Sequence, residues 1–317
     1  MVTLLTISSL AAHLVAMNIA AAGPLACAWL MVGKSNNFEW SRRMARLSIA
    51  ALLVGALLGG LLLVSPSEGM RAALSRFPRS TYWFAVAELL FSLGCLVLLM
   101  MLSRGPKRRT VWAWILALAT ASNLLYHFPP LMAALSKIAV EPRWAREAII
   151  TRPVLLRLAA RPEVLSLWLH FILASVAGAA ILAFSTGGRM RKENAENDDA
   201  AARRLAAAAL IATLLQLPVG AWVLLSSSAR AQDALMGQDG LVTSCFAAGV
   251  LLALGLTQTL AAITAGDTQP SVRGRAAGLF VAVAVLMAAT LTLSRTPDAT
   301  RLSEASRPAA PTSSQAP

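Results

Sequence analysis

Eight apolar stretches, each close to twenty residues long, leave this chain very few ways to fold. They run approximately over Leu4–Met31, Leu47–Val64, Tyr82–Met101, Val111–Leu135, Val164–Phe184, Leu205–Leu225, Leu241–Ile263 and Ala276–Leu293. About 20 apolar residues cross a hydrocarbon core roughly 30 Å thick. A segment in lipid must satisfy its own backbone hydrogen bonds, which a single helix does. The pattern therefore predicts an all-α, polytopic transmembrane bundle of about eight spans. It divides into an N-terminal four-helix bundle over 1–136 and a surface or interfacial loop over 137–163. A C-terminal four-helix bundle over 164–294 and a disordered tail over 295–317, rich in Pro, Ala, Ser and Thr, complete it. With 57% hydrophobic residues and a mean hydropathy of +0.65, no stretch reads as a soluble domain.

The net charge of +13 would fit a nucleic-acid binder in a soluble chain. Here hydropathy excludes that class, and the basic residues instead report topology. The odd-numbered connections between spans hold 15 Lys and Arg against 10 in the even-numbered ones. By the positive-inside rule, both termini are expected outside. No charge precedes Lys34, so the first span lacks the basic leader of a secretory signal and is expected to be retained. Cys27, Cys95 and Cys245 fall in three different spans, which suits neither a disulfide framework nor a zinc site. Breaks are expected near Pro24, at Pro129-Pro130 and near Pro218, since proline removes a ladder hydrogen bond. Pro153 and Pro162 are expected to break the fourth connection into one or two short interfacial helices.

Ionisable groups inside a membrane are costly, and each is a functional hypothesis. Of the 15 acidic residues only Glu88 lies within a span, so it is a candidate proton relay. The competing reading is a protonated acid that hydrogen-bonds to a neighbouring helix. All three histidines, His13, His127 and His170, also lie within spans. Counting at about 1.5 Å per residue places all four groups in the outer half of the bilayer. Thr120, Asn123 and His127 recur at helical spacing as a polar stripe, which suits a metal ligand or a structural histidine equally. Ala174, Ala177 and Gly178 follow His170 on its face, leaving room for a flat macrocycle or for close helix packing. Imidazoles from bundled helices are common haem ligands. The absence of Cys-x-x-Cys-His excludes covalent c-type haem.

At His13 in the first span, Gly55–Gly60 in the second, Glu88 in FAVAELL and Ser122-Asn123-Leu124 in the fourth, the chain resembles subunit I of the cytochrome bd-type quinol oxidases. Arg161-Pro162, with His170 eight residues after the proline, is similar to the entry into that family's fifth helix. The resemblance covers roughly residues 5 to 260. It implies that His13 and His170 ligate the iron of one or more b-type haems and that Glu88 accompanies a haem or relays protons. It also implies the cytoplasmic membrane of a prokaryote, with a second membrane subunit or a c-type cytochrome as electron partner in a respiratory chain.

The departures are equally specific. The family's long quinol loop is reduced to about 15 residues, and its span-seven arginine and methionine fall near Cys245 and Ala247. The Gly-Arg-Gln-Pro-Trp motif and a late haem-serving glutamate are missing, and His127 has no family counterpart. The expectation is therefore a haem protein of electron transfer, with terminal-oxidase activity left open. The alternative is a haem-free bd-like scaffold acting as a transporter or assembly subunit.

Overall fold

The computed structural model describes residues 2–31, 38–64, 66–103, 110–187 and 195–294. The tail, part of the first connection and the most basic parts of the third and fifth connections lie outside the described residues. In chain order the helices are α1 (Val2–Leu30), α2 (Phe38–Val64), α3 (Glu68–Ser75), α4 (Arg79–Leu102), α5 (Thr110–Tyr126) and α6 (Phe128–Val140). They continue as α7 (Arg152–Ala159), α8 (Pro162–Gly187), α9 (Ala195–Leu225), α10 (Ala229–Asp233), α11 (Gly240–Ala265) and α12 (Pro270–Leu293). Eight segments are long and apolar enough to cross a membrane, α5 and α6 counting as one, and they coincide with the eight stretches of the sequence. The protein is an all-α polytopic bundle.

Small residues set the packing. Between helices in lipid there is little hydrophobic drive, so close approach and dispersion hold the bundle. The largest buried cluster accordingly contains Ala22, Ala28, Ala113, Ala117, Ala180, Ala202, Ala206 and Ala276. It draws on α1, α5, α8, α9 and α12, so one continuous core joins the two four-helix sets. α1 is the central helix, packing on α2, α5, α8 and α12. A Cβ on Gly23 of α1 would fall on the Ser48 hydroxyl of α2, and one on Gly178 of α8 would lie 2.5 Å from the Phe280 ring of α12. Large apolar side chains such as Leu57, Trp83, Leu90 and Leu251 point outward, the distribution expected of a lipid-facing surface.

Contacts define two ends. At one, Cys27 bonds to Ser41, Arg43 donates to the Thr186 carbonyl (2.9 Å) and Arg273 pairs with Asp199 (2.6 Å). At the other, α3, α7 and the chain between Glu141 and Thr151 form a cap. Ala73, Phe77, Leu135, Ile138, Ile150 and Val154 make its own small core. Arg76 ties the cap together by donating to the carbonyls of Pro142 (2.9 Å), Ala145 (2.7 Å) and Glu147.

The prolines act differently from expectation at several positions. The break at Pro129-Pro130 is present, with His127 joining α5 to α6. The helix then restarts, because a proline in a first turn needs no N–H partner, and it runs to Val140 rather than ending at Leu135. Pro153 and Pro162 sit at helix starts for the same reason and break nothing. Pro24 and Pro218 lie inside continuous helices. Gly266, at φ 123°, ends α11 in a conformation that side chains disfavour.

Candidate functional site

His13 faces α2. Its Nδ1 lies 2.8 Å from the Gly55 carbonyl oxygen. A carbonyl only accepts, so Nδ1 carries the proton and the neutral ring keeps its lone pair on Nε2. Two glycines make the seat. A Cβ on Gly59 would come within 2.8 Å of His13 Cε1, and one on Gly55 within 2.7 Å of Met17 Sδ. The glycine run of the second span thus accommodates the two largest side chains that α1 turns toward it.

His170 lies on α8 beside Gly220 of α9, where a glycine Cβ would sit 3.8 Å from its Cε1. Its Nδ1 is buried and has no hydrogen-bond partner. Buried polar atoms are nearly always paired, so such an orphan calls for a ligand or a proton acceptor.

The level of these two rings is fixed by a bond that the sequence did not flag. Ser175 Oγ of α8 donates to Asn18 Oδ1 of α1 (2.9 Å), and both residues are buried. α1 and α8 run in the same direction, and each histidine precedes its bridging residue by five positions. The rings therefore lie at one level, roughly 7.5 Å above the bridge. Five residues also turn a helix by about 140°, so the rings face away from the shared α1–α8 contact, one toward α2 and one toward α9.

Glu88 and His127 form a separate pair between α4 and the α5–α6 junction, with Nε2 3.5 Å from Oε2. Glu88 Oε2 is buried without a hydrogen bond. Asn123, one turn before His127, donates to the Glu88 carbonyl (2.9 Å) and to Ser92 Oγ (2.8 Å), locking α5 to α4 beneath the pair. Phe84 and Tyr126 contact the imidazole edge-on at 5.5 and 4.9 Å between centroids. The Arg152 guanidinium of α7 lies over the Phe84 ring at 5.3 Å.

The proline pair supplies the frame. Pro129 and Pro130 have no N–H for the carbonyls of Leu125 and Tyr126, four residues earlier. Trp168 of α8 fills one vacancy, its Nε1 donating to the Leu125 oxygen at 2.5 Å, while its ring meets Tyr126 at 5.5 Å. The tryptophan thereby couples the Glu88–His127 junction to the helix that carries His170 two residues later.

The four polar groups thus occupy one half of the bundle in three packing contexts, and only Glu88 and His127 meet. Among the described residues no three His, Cys, Asp or Glu side chains gather as a metal-holding group. The donor chemistry at His13 and at His170 fits one imidazole ligand at each of two separate places. It does not fit a single haem clasped by both. The small residues below His170 are used for packing, since Phe280 fills the space at Gly178 and Ala177 is buried. Arg152, Trp168, Asn18 and Ser175 carried no sequence signal beyond being polar or amphipathic residues at span ends or within apolar runs. The two freed carbonyls, by contrast, were computable from Pro129-Pro130.

The fold and this arrangement define a multi-pass α-helical membrane protein with polar groups held in one half of the bundle. No protein-family model, curated protein or solved structure matches the chain.

Proposed function

We propose that the protein is a b-type haem-binding integral membrane protein of electron transfer, a reduced relative of cytochrome bd subunit I. The observation that carries this reading is the contact of His13 Nδ1 with the Gly55 carbonyl. With Nδ1–H committed to the Gly55 carbonyl, Nε2 is left as a lone pair, the arrangement by which second-shell hydrogen bonds orient metal-bound histidines. The orphaned Nδ1 of His170 supports a second ligand position. Haem, when bound, supplies the one-electron chemistry. The chain's own residues orient the imidazoles, exclude water from the bundle interior, and hold a proton between Glu88 and His127. In this reading the protein sits in the cytoplasmic membrane of a prokaryote with both termini outside. It exchanges electrons with a second membrane subunit or a c-type cytochrome. His13→Ala and His170→Ala test it, each lowering the haem content read from the pyridine haemochrome and removing a different component of the native reduced-minus-oxidised spectrum. Equal haem content in both variants and the parent would overturn it.

A specific observation favours a second reading. Glu88, His127 and Arg152 form a proton-handling group that requires no cofactor, as a haem-free bd-like transporter or assembly subunit would use. Under that reading Glu88→Gln abolishes function while the preparation stays colourless.

A further inference from the structure

We infer that a groove between α11 and α12 is a binding site for the phosphodiester headgroup of an anionic phospholipid. Gly255, Gln258, Thr259, Ala262, Arg275 and Leu279 line this groove, which has a volume of about 390 Å³. Gln258 and Arg275 are both exposed on helices that otherwise turn apolar side chains to lipid, and neither makes a hydrogen bond or ion pair with another described residue. An amide and a guanidinium left unpaired in a lipid-facing groove are costly unless something there accepts their protons. The Thr259 hydroxyl donates to the Gly255 carbonyl (2.8 Å), so its oxygen adds no free donor. A Cβ on Gly255 would meet nothing within 4 Å, which leaves the groove open at its deeper end.

Depth selects the occupant. Arg275 is the sixth residue of α12, and Gln258 lies seven residues before the end of α11. At about 1.5 Å per residue both are some 8–10 Å below the helix ends, where lipid phosphate and glycerol give way to acyl chains. From that level the guanidinium snorkels to a phosphate while an acyl chain follows Gly255 and Leu279 inward. Charge selects the headgroup. The lining holds one cation and no carboxylate, and the exposed Asp267 of the turn above does not line it. A choline headgroup would bring a second cation to Arg275, whereas phosphatidylglycerol or cardiolipin would not. The groove also opens at the end where the odd-numbered, more basic connections lie. Basic pockets between membrane helices recognise anionic lipids in this way. Arg273, two residues away, cannot substitute, because it is buried and committed to Asp199.

The test uses the full chain reconstituted in phosphatidylcholine vesicles containing a minor fraction of a photoactivatable phosphatidylglycerol analogue. Label is expected on the α11 and α12 peptides that line the groove, with little from a matched phosphatidylcholine analogue. Arg275→Ala should reduce labelling there about fivefold, the ratio for roughly 1 kcal/mol per basic residue near the surface. Arg275→Lys should keep most of it, which separates loss of charge from misfolding. Equal labelling by the two analogues would overturn the inference, as would labelling unchanged in Arg275→Ala. Full competition by inorganic phosphate would reassign the groove to a soluble anion. Absence of label, with cross-links between two copies of α12, would reassign it to a protein interface.

Discussion

At the scale of single residues, the four ionisable groups within the spans have unlike surroundings. Glu88 and the three histidines stand out in apolar runs by chemistry alone. His13 meets the Gly55 carbonyl, Glu88 meets His127 and the Nδ1 of His170 meets no partner, which no composition argument distinguishes. Gly59 gives a sharp contrast. Gly59→Ala places a methyl 2.8 Å from His13 Cε1, whereas Gly60→Ala meets nothing within 4 Å. We expect the first to cost about 1–3 kcal/mol through overpacking. The second should change stability by no more than about 0.5 kcal/mol. Thermal unfolding in one detergent compares the two. Trp168→Phe keeps the ring stack on Tyr126 but removes the indole donor to the Leu125 carbonyl. It is expected to cost about 1–3 kcal/mol, the cost of a buried acceptor left unpaired. Trp168→Phe matching the parent in the same measurement would show that the proline-freed carbonyl needs no donor.

At the scale of elements, span existence was legible because hydropathy and length decide it, whereas ends and connections were not. Ser136–Val140 read as loop since Ser136 and Lys137 are polar, yet the Lys137–Glu141 pair (2.9 Å) supports one more helical turn. The cap was read as amphipathic segments lying on a surface. It is instead a small folded unit, because Arg76 satisfies three carbonyls that no helix or strand would otherwise use. Arg76→Ala should loosen it by on the order of 2–3 kcal/mol. Limited trypsin digestion would then cut faster after Arg143 and Arg146, with the transmembrane segments unaffected. The cap also carries a pH signature. The Glu147 carboxyl is held below the usual carboxylate range by its own backbone N–H and by Arg157. The stabilisation it provides is complete above the ordinary carboxylate range and is lost as pH falls through the depressed value. Cap digestion by an acid-active protease should therefore rise in acid, and Glu147→Gln should show less of that rise.

At the scale of the whole molecule, the count of eight spans was readable from hydropathy. The single alanine-rich core that joins the spans was not, since alanine in a membrane span signals nothing until its neighbour is known. One polar contact fastens α9 to α12: Arg273, with a side chain 6% exposed, on Asp199, which is 47% exposed. Asp199→Asn removes the carboxylate bonded to the arginine and leaves only the neighbouring Asp198 charge. A fully buried pair broken this way costs about 3–5 kcal/mol. The exposed carboxylate end reduces the expected loss to about 1–3 kcal/mol, measurable as a lower Tm in detergent. The level shared by His13 and His170 also emerges only here, from the Asn18–Ser175 bridge between parallel helices. Two imidazoles at one depth that face different neighbours are the basis for proposing two haems rather than one. The direct measurement is the pyridine haemochrome spectrum of the full chain purified from haem-replete cells. The account expects a b-type spectrum, with His13→Ala and His170→Ala each lowering the haem-to-protein ratio and each removing a different component of the native reduced-minus-oxidised spectrum. A colourless preparation would contradict it.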